Sequence, residues 1–167
     1  HAYARGGSAE PEGYPATKGG QFELVPAARP IVQRAFVQGV GTHAILVGFP
    51  AGVHIAYDGL RGRPALAWRG KFFDAYTTWY ARFVPFEKPL GDSVVRWPAA
   101  AVESKKGGVE FAGYRLDAGG VPTFLLRVRG ERVEERLEPA DSGLRRILRV
   151  EASALARLPV THPDGVR

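Results

Sequence analysis

The stretch 109–150, VEFAGYRLDAGGVPTFLLRVRGERVEERLEPADSGLRRILRV, decides the fold class. It divides into four runs, 109–116, 122–129, 132–138 and 143–150, in which apolar and polar residues mostly alternate, as they do where successive side chains point to opposite faces of a sheet. Between the runs lie DAGG, a turn at Gly130–Glu131 and EPADSG, connections short enough to join antiparallel neighbours. The expectation is a four-stranded meander. In the third run Glu135 stands between Val133 and Leu137 and interrupts the apolar period, so a bulge or an edge position is expected there.

Upstream, short runs rich in β-branched and aromatic residues occur at 31–37, 43–49, 53–58 and 64–69, punctuated by Gly39, Gly41, Gly52, Gly59 and Gly62. A further strand, VVRW, ends at Trp97. Eight or so short strands with regular turn signals and no long amphipathic helix predict an all-β fold, an antiparallel sandwich of two sheets, with a barrel as the alternative. Parallel βαβ architecture is excluded because no crossover helix is available. Between them, GKFFDAYTTWYARF places Phe72, Tyr76, Trp79, Tyr80 and Phe83 at helical spacings, but Thr77, Thr78, Gly70 and Pro85 limit any helix to a turn or two. Residues 1–30, rich in Gly, Pro and Ala, read as an extended arm or linker; 31–151 is the sandwich domain and 152–167 a C-terminal linker.

Composition narrows the function classes. With 167 residues, 45 % apolar and 11 % aromatic, the chain has material for one well-cored domain and is too apolar for disorder. The formal charge of +6 is spread thinly, and acids alternate with bases in the last third; with no nucleic-acid motif, no nucleic-acid partner is expected. Absence of cysteine removes disulfides, thiolate metal sites and cysteine nucleophiles. No apolar run approaches the roughly 18 residues of a membrane helix, so no membrane span is expected. The chain begins at His1 and contains no methionine, which suggests a signal peptide cleaved off or a segment cut from a longer protein.

Two blocks, AILVGFPAGVHIAYDGLRGRPALAWRGKFFDAYTTW and FAGYRLDAGGVPTFLLRVRGERVEERLEPADSGLRRILRV, together resemble an uncharacterised β-rich domain of large secreted proteins of Planctomycetes and Verrucomicrobia. The resemblance covers roughly residues 29 to 151. It rests on the order VGFPAGV, YD, AWRGKFFDA in the first block and GYRLD, PTF, a glutamate-rich strand and GLRR in the second. It implies a secreted or periplasmic location and a sandwich of the galactose-mutarotase-like kind. It further implies a multidomain parent whose neighbouring domains include c-type cytochrome, sugar-dehydrogenase-like or cupredoxin-like modules. It implies no activity, and because the chain holds no CxxCH it carries no attached haem; no cofactor is expected.

Candidate chemistry concentrates in residues 43–97, which hold all three tryptophans. Trp68, Asp74, Trp79 and Arg82 are the candidate ligand-binding residues: Arg69, Lys71, Arg82 and Lys88 interleave with Trp68, Phe72, Trp79 and Phe83 as a stacking platform for a sugar ring or another planar ligand, unless these rings are core and the cations snorkel outward. Asp58, Asp74, Glu87 and Asp92 are the carboxylates from which a glycosidase-like pair would be drawn, although Asp58 before Gly59 reads as a turn residue and Asp74 as a structural acceptor. His43 and His54 lie on adjacent strands, but no HxH or HxxxH spacing exists and no metal is expected; a copper site through His1 is the remaining metal reading. No GxSxG motif is present, and the glycines of GVGTHAIL precede no helix. Arg145, Arg146 and Arg149 read as cross-strand partners of acids on the neighbouring strand. The resulting expectation is a non-catalytic accessory or binding module for carbohydrate or a neighbouring redox domain, with a sugar-active enzyme as the alternative.

Overall fold

A computed structural model describes residues 22–80, 86–98 and 108–150. Its elements in chain order are β1 (Glu23–Leu24), β2 (Ile31–Val37), β3 (Gly41–Gly48), β4 (Val53–Asp58), β5 (Arg63–Arg69), β6 (Phe73–Asp74), α1 (Tyr76–Trp79), β7 (Asp92–Arg96), β8 (Val109–Leu116), β9 (Pro122–Val128), β10 (Glu131–Ala140) and β11 (Gly143–Val150). The fold is all-β, its sheets are antiparallel, and they do not close into a barrel. β2, β3, β4, β5 and β7 form a five-stranded sheet in that order, and β8 to β11 form a four-stranded meander.

Alternation explains how the two sheets pack. Ile45, Val47, Ile55 and Tyr57 leave one face of the five-stranded sheet and meet Phe124, Leu126, Val128, Val133 and Leu137 from the meander in one cluster. The opposite face carries Ala44, Leu46, Ala56, Leu66 and Trp68, and these pack against Leu24, Phe72 and Phe73. Every residue of β4 is therefore buried, which explains a run, VHIAYD, that is apolar on one face and still places His54 and Asp58 inside on the other. Near the end of the N-terminal arm, residues 23–24 pair with β6, and Lys71 holds Glu23 at 2.9 Å; a two-residue strand has no periodicity to read.

The expectation for β10 is corrected. This strand is neither an edge nor bulged, because it lies between β9 and β11 in unbroken register. Val133, Glu135 and Leu137 all point inward and are each 1 % exposed, so the period of two is intact and Glu135 is its polar member. The hairpin before it turns on Arg129 and Gly130, at φ 52° and 88°, the pair of positive values of a type I′ turn, one residue earlier than the Gly–Glu step expected.

Candidate functional site

The chain leaving β5 first builds a core, then a surface. Trp68 is 1 % exposed, stacks parallel to Phe72 at 5.9 Å, and its indole N–H donates to the carbonyls of Lys71 and Phe72, both at 3.0 Å. It is packing, and it presents no surface to a ligand. His54 sits against both rings, 5.6 Å from Trp68 and 5.0 Å from Phe72. Its Nδ1 accepts from the Phe49 N–H and its Nε2 donates to the Gly70 carbonyl at 2.8 Å, which fixes a neutral tautomer. Burial holds its pKa below the ordinary histidine value. Both nitrogens are used, so His54 has none left for a metal. Hairpin pairing sets it opposite Gly48 rather than beside the exposed His43. Among the described residues no group of three His, Cys, Asp or Glu side chains is arranged to hold a metal ion. His1 and His162 lie outside the described residues.

Two cations of the expected platform have other work. The Arg69 guanidinium donates to the Ser142 carbonyl at 2.7 Å, tying the two sheets, and Lys71 pairs with Glu23. Arg82 lies outside the described residues, as does Phe83. Asp58 accepts the backbone N–H groups of Leu60 and Arg61 at 3.0 Å and the Arg61 guanidinium at 2.9 Å, so it closes the β4–β5 turn. Asp92 is exposed at the start of the edge strand β7.

Beyond Phe73 the picture changes. Asp74, 1 % exposed, accepts the Tyr76 N–H at 2.8 Å, and the Ala75 N–H donates to the Phe22 carbonyl; the next four residues form the single turn of α1. α1 is fixed to the edge strand β2 by a hydrogen bond from the Phe36 N–H to the Thr78 hydroxyl. Residues 86–88 lie along the same edge: the Glu87 N–H donates to the Phe36 carbonyl and the Gln38 N–H to the Glu87 carbonyl. Asp74 and Glu87 thereby lie on segments held to the same edge of the sheet. Burial raises the Glu87 carboxyl above its ordinary pKa and the negative charge of Asp74 raises it further, while a hydrogen bond with Thr77 opposes both. Of the carboxylates singled out by sequence, Glu87 is the one whose proton affinity responds to another of them, Asp74.

Around this braced turn lies an aromatic cluster, with Tyr76 buried and Trp79 exposed. Phe22 stacks on Tyr76 at 5.7 Å, meets Trp79 edge-on at 6.1 Å and contacts Tyr80 at 4.9 Å. Trp79 is 41 % exposed, against 1 % for Trp68 and 9 % for Trp97, so it is the one tryptophan that offers a face to solvent. Tyr80 also meets its ring edge-on at 6.5 Å.

A second polar group was read from the sequence only in part: Arg146 pairs with an acid of the neighbouring strand as expected, but that acid is the inward Glu135, and its link to Tyr57 was missed. The Tyr57 hydroxyl donates to Glu135 Oε2 at 2.7 Å and Arg146 donates to Glu135 Oε1, joining the two sheets through a carboxylate inside the sandwich. Tyr57 stacks on Phe124 at 3.7 Å. Its hydroxyl is held well above the ordinary tyrosine pKa, first by burial and then by the Glu135 charge. The signal was present: Glu135 occupies an inward position between Val133 and Leu137. Tyr57 and Glu135 lie in the closed core, and Arg146 reaches Glu135 from a partly exposed position.

Compared with known protein families, curated proteins and solved structures, the chain matches none.

Proposed function

We propose that this chain is a non-catalytic binding module that holds carbohydrate through the exposed face of Trp79, within a secreted or periplasmic multidomain protein. The observation that carries the reading is the contrast among three tryptophans: two are consumed by the core, and the third stands out on a turn braced to β2 and β6. A flat, rigid indole with one wet face suits the apolar face of a pyranose ring. The resemblance of residues 29–151 to a domain of secreted proteins supports the location and suggests a neighbouring c-type cytochrome or similar module as partner. Affinity electrophoresis through gels containing individual neutral polysaccharides tests the reading. Trp79→Ala should lose retardation in the gel that retards the parent chain, with an unchanged circular dichroism spectrum. Equal retardation of the variant overturns it.

One observation favours a second reading, that of a sugar-active enzyme: burial, and then the charge of Asp74, make Glu87 hold its proton more tightly than usual, the condition of a general acid. Against it, Asp74 is buried and occupied as an acceptor for α1. Glu87→Gln decides: hydrolysis of a retained polysaccharide that disappears in this variant supports the enzyme reading, and binding without hydrolysis in both proteins removes it.

A further inference from the structure

The outer face of the meander is its solvent-facing side, since the inner face packs on the five-stranded sheet. By register this face presents arginine from every strand and no lysine: Arg115 on β8, Arg127 on β9, Arg132 and Arg136 on β10, Arg145 and Arg149 on β11. Carboxylates are fewer and are shared. Glu134 takes both Arg115, through two parallel bonds of 2.8 and 2.7 Å, and Arg132; Glu138 takes Arg136 and Arg145; Asp117 also takes Arg136. So heavily is Glu134 engaged that its pKa falls to about 2, chiefly through the Arg115 hydrogen bonds. Arg149 lies directly across from Glu134 and Arg127 across from Glu110, yet among the described residues neither forms an ion pair.

Two features at one end of this face run against stability. Arg127 stands directly opposite Arg132, and like charges in that position repel. Arg129 occupies a positive-φ turn position, φ 52°, where asparagine or glycine is the unstrained choice, and its side chain is exposed. Strain and repulsion converge on guanidinium groups that an external anion would bridge. Along β10 the outward row alternates Arg132, Glu134, Arg136 and Glu138, so the excess of cations lies toward the β9–β10 turn, where Arg127, Arg129 and Arg132 come from successive positions of the hairpin. The uncharged residues of the face, Thr123, Leu125 and Ile147, include no aromatic ring on which a base would stack.

We propose that this face binds an acidic polysaccharide, its sulfate or carboxylate groups bridging Arg127, Arg129, Arg132 and Arg149. The site is separate from Trp79 and stands whether or not that surface binds sugar. Titration of the full chain with dextran sulfate, with uncharged dextran as control, tests it. Binding should be confined to the sulfated polymer and weaken as salt rises. Arg127→Ser/Arg149→Ser should weaken it about tenfold, as expected for losing two exposed charge contacts. Arg129→Asn should weaken binding while raising the melting temperature, a combination that unfolding cannot produce. Unchanged affinity in both variants, equal binding of uncharged dextran, or stronger binding of a single-stranded oligonucleotide or of polyglutamate would overturn the proposal.

Discussion

Replacing Tyr57 by Phe removes one hydroxyl and little else, since the 3.7 Å stack on Phe124 needs only the ring. What it leaves behind is Glu135, 1 % exposed and one donor short at Oε2. Stranding a buried acceptor costs about 1–3 kcal/mol, and a charged acceptor lies toward the upper end, so the expected loss is about 2–3 kcal/mol. Arg146→Ala strips the cation from the same carboxylate and should cost more, about 3–5 kcal/mol. The two losses should not add, because each variant weakens the same group. Urea denaturation of both single variants and the double variant reads them, through a lower midpoint at constant slope. Combining Tyr57→Phe, Glu135→Leu and Arg146→Leu in one variant should restore much of the stability, because no buried charge remains. A Tyr57→Phe loss below about 0.5 kcal/mol, or strictly additive single losses, would refute the idea that Glu135 depends on both partners.

The same triad sets the alkaline limit. Tyr57 has its folded pKa raised above 10.0, so above pH 10 the unfolded chain releases this proton while the folded chain keeps it, and stability falls as pH rises; thermal melts from pH 9 to 11 should show this decline and Tyr57→Phe should flatten it. Trp68→Ala should cost about 3–5 kcal/mol, having lost a buried ring and two hydrogen bonds, whereas Trp79→Ala should cost about 1 kcal/mol, a contrast checked by denaturation of both. Gly91→Ala should fail to fold or lose more than about 3 kcal/mol, because a β-carbon there would overlap the Arg69 carbonyl oxygen; expression and circular dichroism decide.

The strands were legible because their cause is local. In the middle strands of 109–150, β9 and β10, buried residues alternate with more exposed ones, so this part of the meander follows from the residues themselves, whereas β8 shifts register between Phe111 and Gly113. Where cause is not local, reading failed. Trp68 and Trp79 sit in similar surroundings of aromatics and cations, yet one is core and the other surface, and the difference is made by β6 and β1 folding Phe72 and Phe73 across the sheet. The charge of Asp74 acts on Glu87 because α1 and residues 86–88 are both bonded to β2, whose Phe36 lies 42 positions before Thr78 in the chain. Glu135 looked like an interruption of a strand because its partners, Tyr57 and Arg146, come from another sheet and another strand.

The proposed sugar contact depends on the wet face of Trp79, and acrylamide quenching of tryptophan fluorescence measures that face directly. With Trp68 and Trp97 buried, the quenchable emission should come from Trp79, should vanish in Trp79→Phe, and should be protected by the polysaccharide that retards the parent chain. Quenching that persists in Trp79→Phe, or that the retained polysaccharide leaves unprotected, would contradict the assignment of Trp79 as the binding surface.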